Sequence, residues 1–138
     1  MPLPDAARAL LESDALAHLV TVNRDGSPQV SCVWVGVRGE ELVTGHLFEQ
    51  QKLRNVRRDP RVVISLEGTE VQPPGLKQYL VVHGTAWIQE GGAPELLQEL
   101  AHVYLGPDVK FPPMDDPPPG FITHIAVERI GGVGPWTG

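Results

Sequence analysis

The chain turns from strand to helix and back within residues 44–65, which read TGHLFEQQKLRNVRRDPRVVIS. Spacing of the apolar residues predicts a helix over 50–58, and Pro60 ends it because a residue before proline is pushed out of the helical conformation. The β-branched residues that follow predict a strand over 61–67. A helix that begins here presents unpaired backbone N–H groups and a partial positive charge beside its first turn. This passage is therefore a candidate anion site.

Positive charge is concentrated in the same passage. Five of the eleven basic residues fall between positions 52 and 61, namely Lys52, Arg54, Arg57, Arg58 and Arg61. With Asp59 included this window carries +4, so in a chain of net charge −6 the remainder carries −10. Two interpretations stay open at this point, a solvated helix face or a site for a small anionic ligand. The acidic remainder argues against a general nucleic-acid binder.

Length and composition limit the class of protein. The 138 residues predict a single domain over 1–138. Cys32 is the lone cysteine, which excludes a disulfide scaffold and fits a reducing cytoplasm. No apolar run approaches the roughly 18–20 residues of a membrane-spanning helix, and no signal-peptide pattern opens the chain. We expect a cytoplasmic domain with no membrane or nucleic-acid partner.

Six segments have the pattern of strands: 17–23, 29–37, 41–45, 61–67, 78–89 and 121–130. Asp25-Gly26 is a tight-turn signal between the first two, and Gly84 predicts a bulge or a close backbone approach. Most of the joining turns are short, so we predict a mainly β fold with flanking helices, a six-stranded antiparallel barrel. Residues 68–77 are predicted as a loop and 131–136 as a tail.

Three helices flank the strands in this prediction. Besides the helix at 50–58, a short one at 6–11 is expected to be capped by Asp5. The most regular helical pattern runs from Ala93 to Tyr104, where apolar residues follow the i, i+3, i+4, i+7 spacing. Six prolines between Pro107 and Pro119 then exclude regular structure and predict a semi-extended strap over the surface.

Familiar catalytic motifs are not found in the sequence. The five histidines are not spaced as metal ligands and no Cys-x-x-Cys accompanies them, so no metal site is predicted. A Gly-x-Ser-x-Gly elbow and the Walker and Rossmann glycine patterns are missing too. Cys32 and Trp34 lie in an apolar strand and are interpreted as interior packing. The sequence assigns no catalytic residue.

Four segments carry a family resemblance that spans about residues 16–136. They are KLRNVRRDPR at 52–61 with the strand after it, DGSPQVS at 25–31, VHGTA at 82–86, and GPW at 134–136. Together they resemble the pyridoxamine-phosphate-oxidase-like superfamily of FMN-binding split barrels. More closely, they resemble its small branch that uses the 5-deazaflavin coenzyme F420.

The resemblance implies a homodimer of split barrels with two cofactor sites at the subunit interface. In such proteins the strand-to-helix passage holds the cofactor's phosphate, which implies that Lys52 and Asn55 bind it with Gln51 nearby. Residues implied to line the cofactor's ring or the chain leading from it are Pro28, Gln29, Val30, Ser31, Thr44, Gly45 and His46. Trp136 could close over the site, from the same or the partner subunit, or could plug the end of the barrel.

Coenzyme F420 is the favoured cofactor, with FMN as the alternative. The F420 tail carries a phosphate and several carboxylates, which suits five clustered cations better than the single phosphate of FMN does. The resemblance implies hydride transfer from reduced deazaflavin to an unsaturated small organic substrate, with His46, Tyr79 or water as proton donor. A carrier protein with little turnover is a further alternative. This interpretation requires that the cations beginning at Lys52 converge on one cleft.

Overall fold

A computed structural model describes residues 1–137 and contains one seven-stranded antiparallel sheet with three helices. Gly138, the last residue of the predicted domain, lies outside the described residues. The strands are β1 (Ala17–Val22), β2 (Pro28–Val33), β3 (Gly36–Arg38), β4 (Glu41–His46), β5 (Arg61–Gln72), β6 (Leu76–Glu90) and β7 (Phe121–Val133). The helices are α1 (Asp5–Leu11), α2 (Gln51–Arg58) and α3 (Ala93–Tyr104). The predicted mainly β split barrel is confirmed, with seven strands rather than six.

The two outermost strands of the sheet are connected by a short chain segment and not by hydrogen bonds to each other. Strand order is β2-β1-β5-β6-β7-β4-β3, so the two outermost strands are consecutive in sequence. Trp34 and Val35 join them, and within the described chain β2 pairs with β1 alone and β3 with β4 alone. The prediction of one strand over 29–37 is therefore wrong. The backbone leaves the ladder at this crossing, where the Val35 N–H donates to the Tyr104 hydroxyl at 3.2 Å.

The predicted loop over 68–77 is also wrong, because β5 and β6 continue through it as a hairpin. β5 extends to Gln72 and β6 starts at Leu76, so Pro73-Pro74-Gly75 alone makes the turn. The pairing register shifts between Glu67 and Val71, and this irregularity absorbs Gly68. Glycine and proline in the turn obscured the strand-forming residues on either side of it.

Gly84 allows two strands to approach closely, as its position predicted. The β6–β7 register shifts between His83 and Gly84, and a Cβ at Gly84 would lie 2.4 Å from the Ala126 carbonyl oxygen. β7 also runs three residues beyond the predicted end at 130, because Gly131 and Gly132 pair with β6. The first half of the predicted tail is therefore strand. Gly132 has φ 98°, a conformation that glycine adopts readily.

Helices cover the barrel on separate sides. α3 has the predicted bounds, and packs Leu96 and Leu100 with Val43 and Ile122 of the sheet. α1 packs Ala7 and Leu11 onto the main core. The N-cap of α1 is Pro4 and not the predicted Asp5. The Asp5 carboxylate lies in the first turn, where its negative charge interacts favourably with the positive end of the helix dipole.

The segment between α3 and β7 is irregular, as its prolines predicted. Residues 105–120 form neither helix nor strand, which confirms the predicted strap. Of the helices within residues 1–137, none is long and apolar enough to cross a membrane.

Candidate functional site

A cleft of about 340 Å³ opens where the end of β2 faces the end of β4 and the start of α2. β2 pairs on one side with β1, and β4 beyond Val43 pairs on one side with β7, so their other edges border this opening. One part of the lining is apolar or aromatic: Leu16, Trp34, Leu47, Phe48, Leu97 and Phe111. The other part is polar: Cys32, His46, Gln50 and Lys52. The volume is that of a small-molecule site.

Lys52 supplies the positive charge of the cleft. Its side chain is half-buried, and burial lowers the pKa of Lys52. α2 begins here without a side-chain cap, and the N–H groups of Leu53 and Arg54 are taken by the Gln50 carbonyl. Among the hydrogen bonds of the described chain, the N–H groups of Gln51 and Lys52 have no acceptor. An anion beside this turn would meet a cation and free N–H donors together.

His46 lies on the wall of the cleft as a neutral imidazole. Its Nε2 is 3.0 Å from both the Thr44 and the Thr123 hydroxyl oxygens. Burial, reinforced by the charge of Lys52, lowers the pKa of His46 to about 3. The ring is therefore uncharged near neutral pH and is not an acid there. Thr44 itself is buried behind His46 and does not line the cleft.

Asn55 is buried and ties α2 to β1. Its Nδ2 donates to Thr21 Oγ1 at 3.0 Å and to Asn23 Oδ1 at 2.9 Å, while its Oδ1 accepts from Gln51 Nε2 at 2.7 Å. These bonds use the donors of the amide within the protein. The structure therefore gives Asn55 and the Gln51 side chain a positioning role at the start of α2, and does not show them facing the cleft.

The expected convergence of five cations is wrong, since Lys52 alone among them lines the cleft. An anion site in this cleft therefore depends on Lys52 and the start of α2, and not on the whole basic cluster. Arg57 pairs with Glu49 and lies over the Phe121 ring, 5.3 Å from its centroid. Arg61 pairs with Asp59 through two nitrogens, which lowers the pKa of that carboxyl to about 2. Arg58 donates to the Val22 carbonyl. Glu49 and the Val22 carbonyl lie outside the basic run, and the charge count of that run, although it included Asp59, did not show that Asp59 pairs with Arg61.

The predicted residues of β2 stand beside the cleft rather than in its wall. Pro28 and Val30 are exposed on the outer face of the sheet. Gln29 points inward and accepts a hydrogen bond from Thr21 Oγ1 at 3.1 Å. Ser31 Oγ is buried and has no partner among the described residues. An unpaired buried hydroxyl is costly, so Ser31 is the one residue of this group whose environment is incomplete.

Two further predicted residues lie away from the cleft within one chain. Trp136 donates from Nε1 to the Gly131 carbonyl at 3.1 Å and borders a groove of about 530 Å³ beside α1. Tyr79 is exposed on the outer face of β6, next to His18 and Lys77. The structure thus brings together Lys52, His46 and Gly45 but neither Trp136 nor Tyr79.

Sequence reasoning missed part of the wall. Cys32 and Trp34 were interpreted as interior packing, yet Cys32 is exposed and both line the cleft. Apolar residues on both faces of the segment hid both its break at Trp34 and the position of Cys32 on the exposed face of β2. Phe48 and Phe111 carried no motif, although Phe48 lies in the strand-to-helix passage where a ligand was expected.

The chain is similar to known proteins over nearly its whole length. The family model described as pyridoxamine 5'-phosphate oxidase matches residues 3–134. A solved structure named F420 reductase is 28% identical, with a TM-score of 0.72 over 94% of this chain and 98% of that one. The hypothetical protein Rv2991 from Mycobacterium tuberculosis is 23% identical, with a TM-score of 0.70 over 94% and 84% of the two chains. HupZ from Group A Streptococcus is 21% identical, with a TM-score of 0.66 over 99% and 97%. Among curated proteins no match is found.

Proposed function

Because the chain belongs to the pyridoxamine 5'-phosphate oxidase family of flavin-binding split barrels, we propose that it is an F420-dependent oxidoreductase. Its substrate in this proposal is an unsaturated small organic molecule. The observation that carries the proposal is the cleft that joins Lys52 and an uncapped helix start to an aromatic wall. Similarity to a protein named F420 reductase supports the choice of cofactor.

The start of α2 suits the phosphate of such a cofactor. The Lys52 ammonium and the free N–H groups of Gln51 and Lys52 would hold it by charge-assisted hydrogen bonds. Arg54 donates to Gln51 Oε1 at 3.0 Å, so a second cation lies beside the first residue of the helix. Because it has no carboxylate partner within residues 1–137, Arg54 can attract the further carboxylates of the F420 tail.

The apolar part of the cleft suits a flat ring. Leu47 and Phe48, which come just before α2, supply surfaces against which an aromatic ring packs, and Gly45 leaves the β4 wall without a side chain. Ser31 Oγ, unpaired in the protein, is available to a polar atom of the ligand if the edge of β2 adjusts. In this proposal Pro28–Ser31 contact the ring or its chain, and Trp136 comes from a second subunit.

The protein positions the reactants, while the cofactor, when bound in its reduced form, supplies a hydride. His46 cannot supply the accompanying proton near neutral pH, because its pKa is about 3. Tyr79 lies on the outer face of β6, outside the cleft. We therefore assign the proton to water. We place the protein in a reducing cytoplasm, in keeping with its lone exposed thiol.

A homodimer is part of the proposal. Val30, Val20 and Val63 are register neighbours on three adjacent strands and form an apolar row on the outer face of the sheet. Val30 is 57% exposed in the single chain. Apolar rows of this kind mark interaction surfaces. A second copy that covered this row would bury it. The row includes β2, and the end of β2 lines the cleft, so the second copy would lie beside the cleft.

Two alternatives have their own support. FMN is the cofactor for which the fold family is named, and it would use the same Lys52 and helix start. A deazaflavin carrier with little turnover is favoured by one observation. Besides Lys52 and Cys32, the titratable side chain that lines the cleft is His46, and His46 is uncharged near neutral pH and so has no proton to donate as an imidazolium.

Titration of the purified protein with F420 and with FMN, followed by cofactor fluorescence, tests the proposal. We expect F420 to bind more tightly than FMN. Tight binding of FMN together with no binding of F420 would overturn the assignment. Stopped-flow reoxidation of bound, reduced F420 by enones, quinones and nitro compounds then separates an enzyme from a carrier, since a carrier would show no acceleration over the free cofactor.

A further inference from the structure

The strap over 105–120 contributes a wall to the cleft, although its sequence carries no motif. We propose that Phe111 of this strap is a specificity-determining residue that, with Trp34, selects planar, uncharged substrates and favours larger ring systems over smaller ones. This inference rests on the proposed function, since it assigns the substrate side of the same cleft. It is carried by an aromatic stack and by the anchoring of the strap to α3.

Three aromatic rings contact one another beside the cleft, and two of them, Trp34 and Phe111, line it. The Trp34 and Tyr104 rings stack with centroids 5.5 Å apart and planes 14° apart. Phe111 meets Trp34 edge to face, with a centroid distance of 5.1 Å and an angle of 61°. Tyr104 is held in turn, because its hydroxyl donates to the Ala15 carbonyl at 2.8 Å and accepts from the Val35 N–H. Trp34 and Phe111 therefore form a supported wall.

Gln98 of α3 fixes the strap that carries Phe111. Its Nε2 donates to the Val109 carbonyl at 2.8 Å, and its Oε1 accepts from the Phe111 N–H at 3.0 Å. One side chain thus satisfies the backbone on both sides of Lys110. Pro112, which follows Phe111, is buried and adds a packed anchor. The Phe111 ring is consequently held by the fold rather than left on a loose loop.

The polar and apolar parts of the lining come from different elements. Gln50 and Lys52 belong to the start of α2, whereas Leu97 belongs to α3 and Phe111 to the strap. An anionic cofactor is drawn to the α2 side, which leaves the aromatic side to the second reactant. Beyond Lys52 no charged side chain of the described chain lines the cleft, so a charged substrate would lose its hydration without a partner. A flat, uncharged ring system gains stacking on Trp34 and Phe111 instead.

Equilibrium dialysis of the protein loaded with oxidised F420 tests the inference without turnover. The probes are 2,3-dimethyl-1,4-naphthoquinone, with two fused rings, and duroquinone, with one; neither has an unsubstituted quinone carbon for Cys32 to attack. We expect the naphthoquinone to bind more tightly to the wild type. Phe111→Ala should weaken its binding about tenfold and that of duroquinone less, with F420 affinity unchanged within about twofold.

Positioning by Gln98 is tested separately with Gln98→Leu, which keeps the Phe111 ring but removes both backbone bonds. We expect the same selective loss of naphthoquinone affinity, together with faster proteolysis within the strap. His102→Leu is the matched control, because it removes the 3.0 Å contact between Gln98 and His102 and leaves the strap anchored. Met114→Ala, on an exposed strap residue outside the cleft, should change neither probe.

The outcomes separate this inference from the proposed function. A wild type that binds no F420 would overturn the proposed function and, with it, the inference. A wild type that binds F420, with Phe111→Ala leaving both probe affinities unchanged, would overturn the inference alone. Equal loss of F420 and probe affinity would overturn it too, since Phe111 would then be part of the cofactor wall. Should Phe111→Ala fail to fold, Phe111→Leu keeps the apolar volume and tests the loss of the aromatic ring.

Discussion

Lys52 and His46 line the same cleft but differ in charge near neutral pH. Lys52 is a half-buried cation at an uncapped helix start, whereas His46 is kept neutral by burial and by the charge of Lys52 itself. Thr44 and Thr123 satisfy one ring nitrogen of His46, which makes a neutral imidazole tolerable in the barrel wall. The cleft consequently offers one strong anion contact surrounded by uncharged surface.

Replacing Lys52 with alanine should weaken cofactor binding roughly 10- to 100-fold, the usual value of a hydrogen bond to a charged group. Fluorescence titration measures this change, and a thermal melt checks that the barrel stays folded. Higher salt should weaken wild-type binding as well, and weaken it less in the variant. Lys110→Ala is the control, because Lys110 is an exposed lysine outside the cleft. An unchanged Kd in a stable Lys52→Ala protein would contradict the placement of the anion.

His46 should make the protein less stable in mild acid. Its folded pKa of about 3 lies below the ordinary value of 6.5, so the unfolded chain binds the proton more readily between these values. The free energy of unfolding therefore falls as the pH drops below about 6.5, by about 2–3 kcal/mol from this residue at pH 4.5. Urea denaturation at pH 7 and pH 4.5 measures it.

His46→Gln should lose less stability than the wild type over this pH range, whereas the exposed His102→Gln should behave like the wild type. The carboxyl of Asp59, whose pKa is about 2, loses its stabilising effect only below about pH 3.8 and does not interfere. Equal acid sensitivity in His46→Gln and the wild type would show that His46 is not buried in its neutral form.

Single residues of the site were predictable only in part. Lys52 could be placed in advance because a helix start and a local charge coincide at it. Asn55 has the residue type of a ligand contact, but its partners Thr21 and Asn23 are more than thirty positions away in sequence. Cys32 was assigned to the interior because hydrophobicity alone does not show which face of a strand is covered. Long-range contacts decide both residues.

Elements were predictable where one local signal dominates. α3 was bounded correctly since its apolar spacing is regular, Gly92 precedes its first residue and Gly106 follows its C-cap. The β5–β6 hairpin was missed because the turn signal at 73–75 spread, in the prediction, over strand residues on both sides. The break at Trp34 was missed for the opposite reason: an uninterrupted apolar run hides a crossing that only the closure of the sheet requires.

The contact of β6 with β7 at Gly84 gives a prediction for a whole element. Gly84→Ala would place a Cβ 2.4 Å from the Ala126 carbonyl oxygen and 2.7 Å from Ile125 Cγ2, so the two strands must move apart. We expect a loss of about 1–3 kcal/mol in the free energy of unfolding, measured by urea denaturation. Gly131→Ala is the matched control on β7, because a Cβ there has nothing within 4 Å. Equal stability of the two variants would contradict the close approach.

At the scale of the whole molecule, the proposed dimer predicts the effect of a charge on the outer apolar row. Val30→Lys places an ammonium at a side chain that is already 57% exposed, so the single chain should still fold. We expect a shift from dimer to monomer in light scattering coupled to size-exclusion chromatography, with weaker cofactor binding. Val103→Lys, at an exposed position of α3, should remain dimeric. A wild type that elutes as a monomer would refute the dimer directly.

The crossing at Trp34 and Val35 also bears on how a bulky ligand enters. Every other pair of adjacent strands in the described barrel is joined by a ladder of backbone hydrogen bonds, whereas no ladder joins the free edges of β2 and β4. Separating these two edges breaks no backbone hydrogen bond of the sheet, so it costs less free energy than separating any paired strands. We therefore expect a bulky ligand to enter the cleft between β2 and β4, on the side that Lys52 lines.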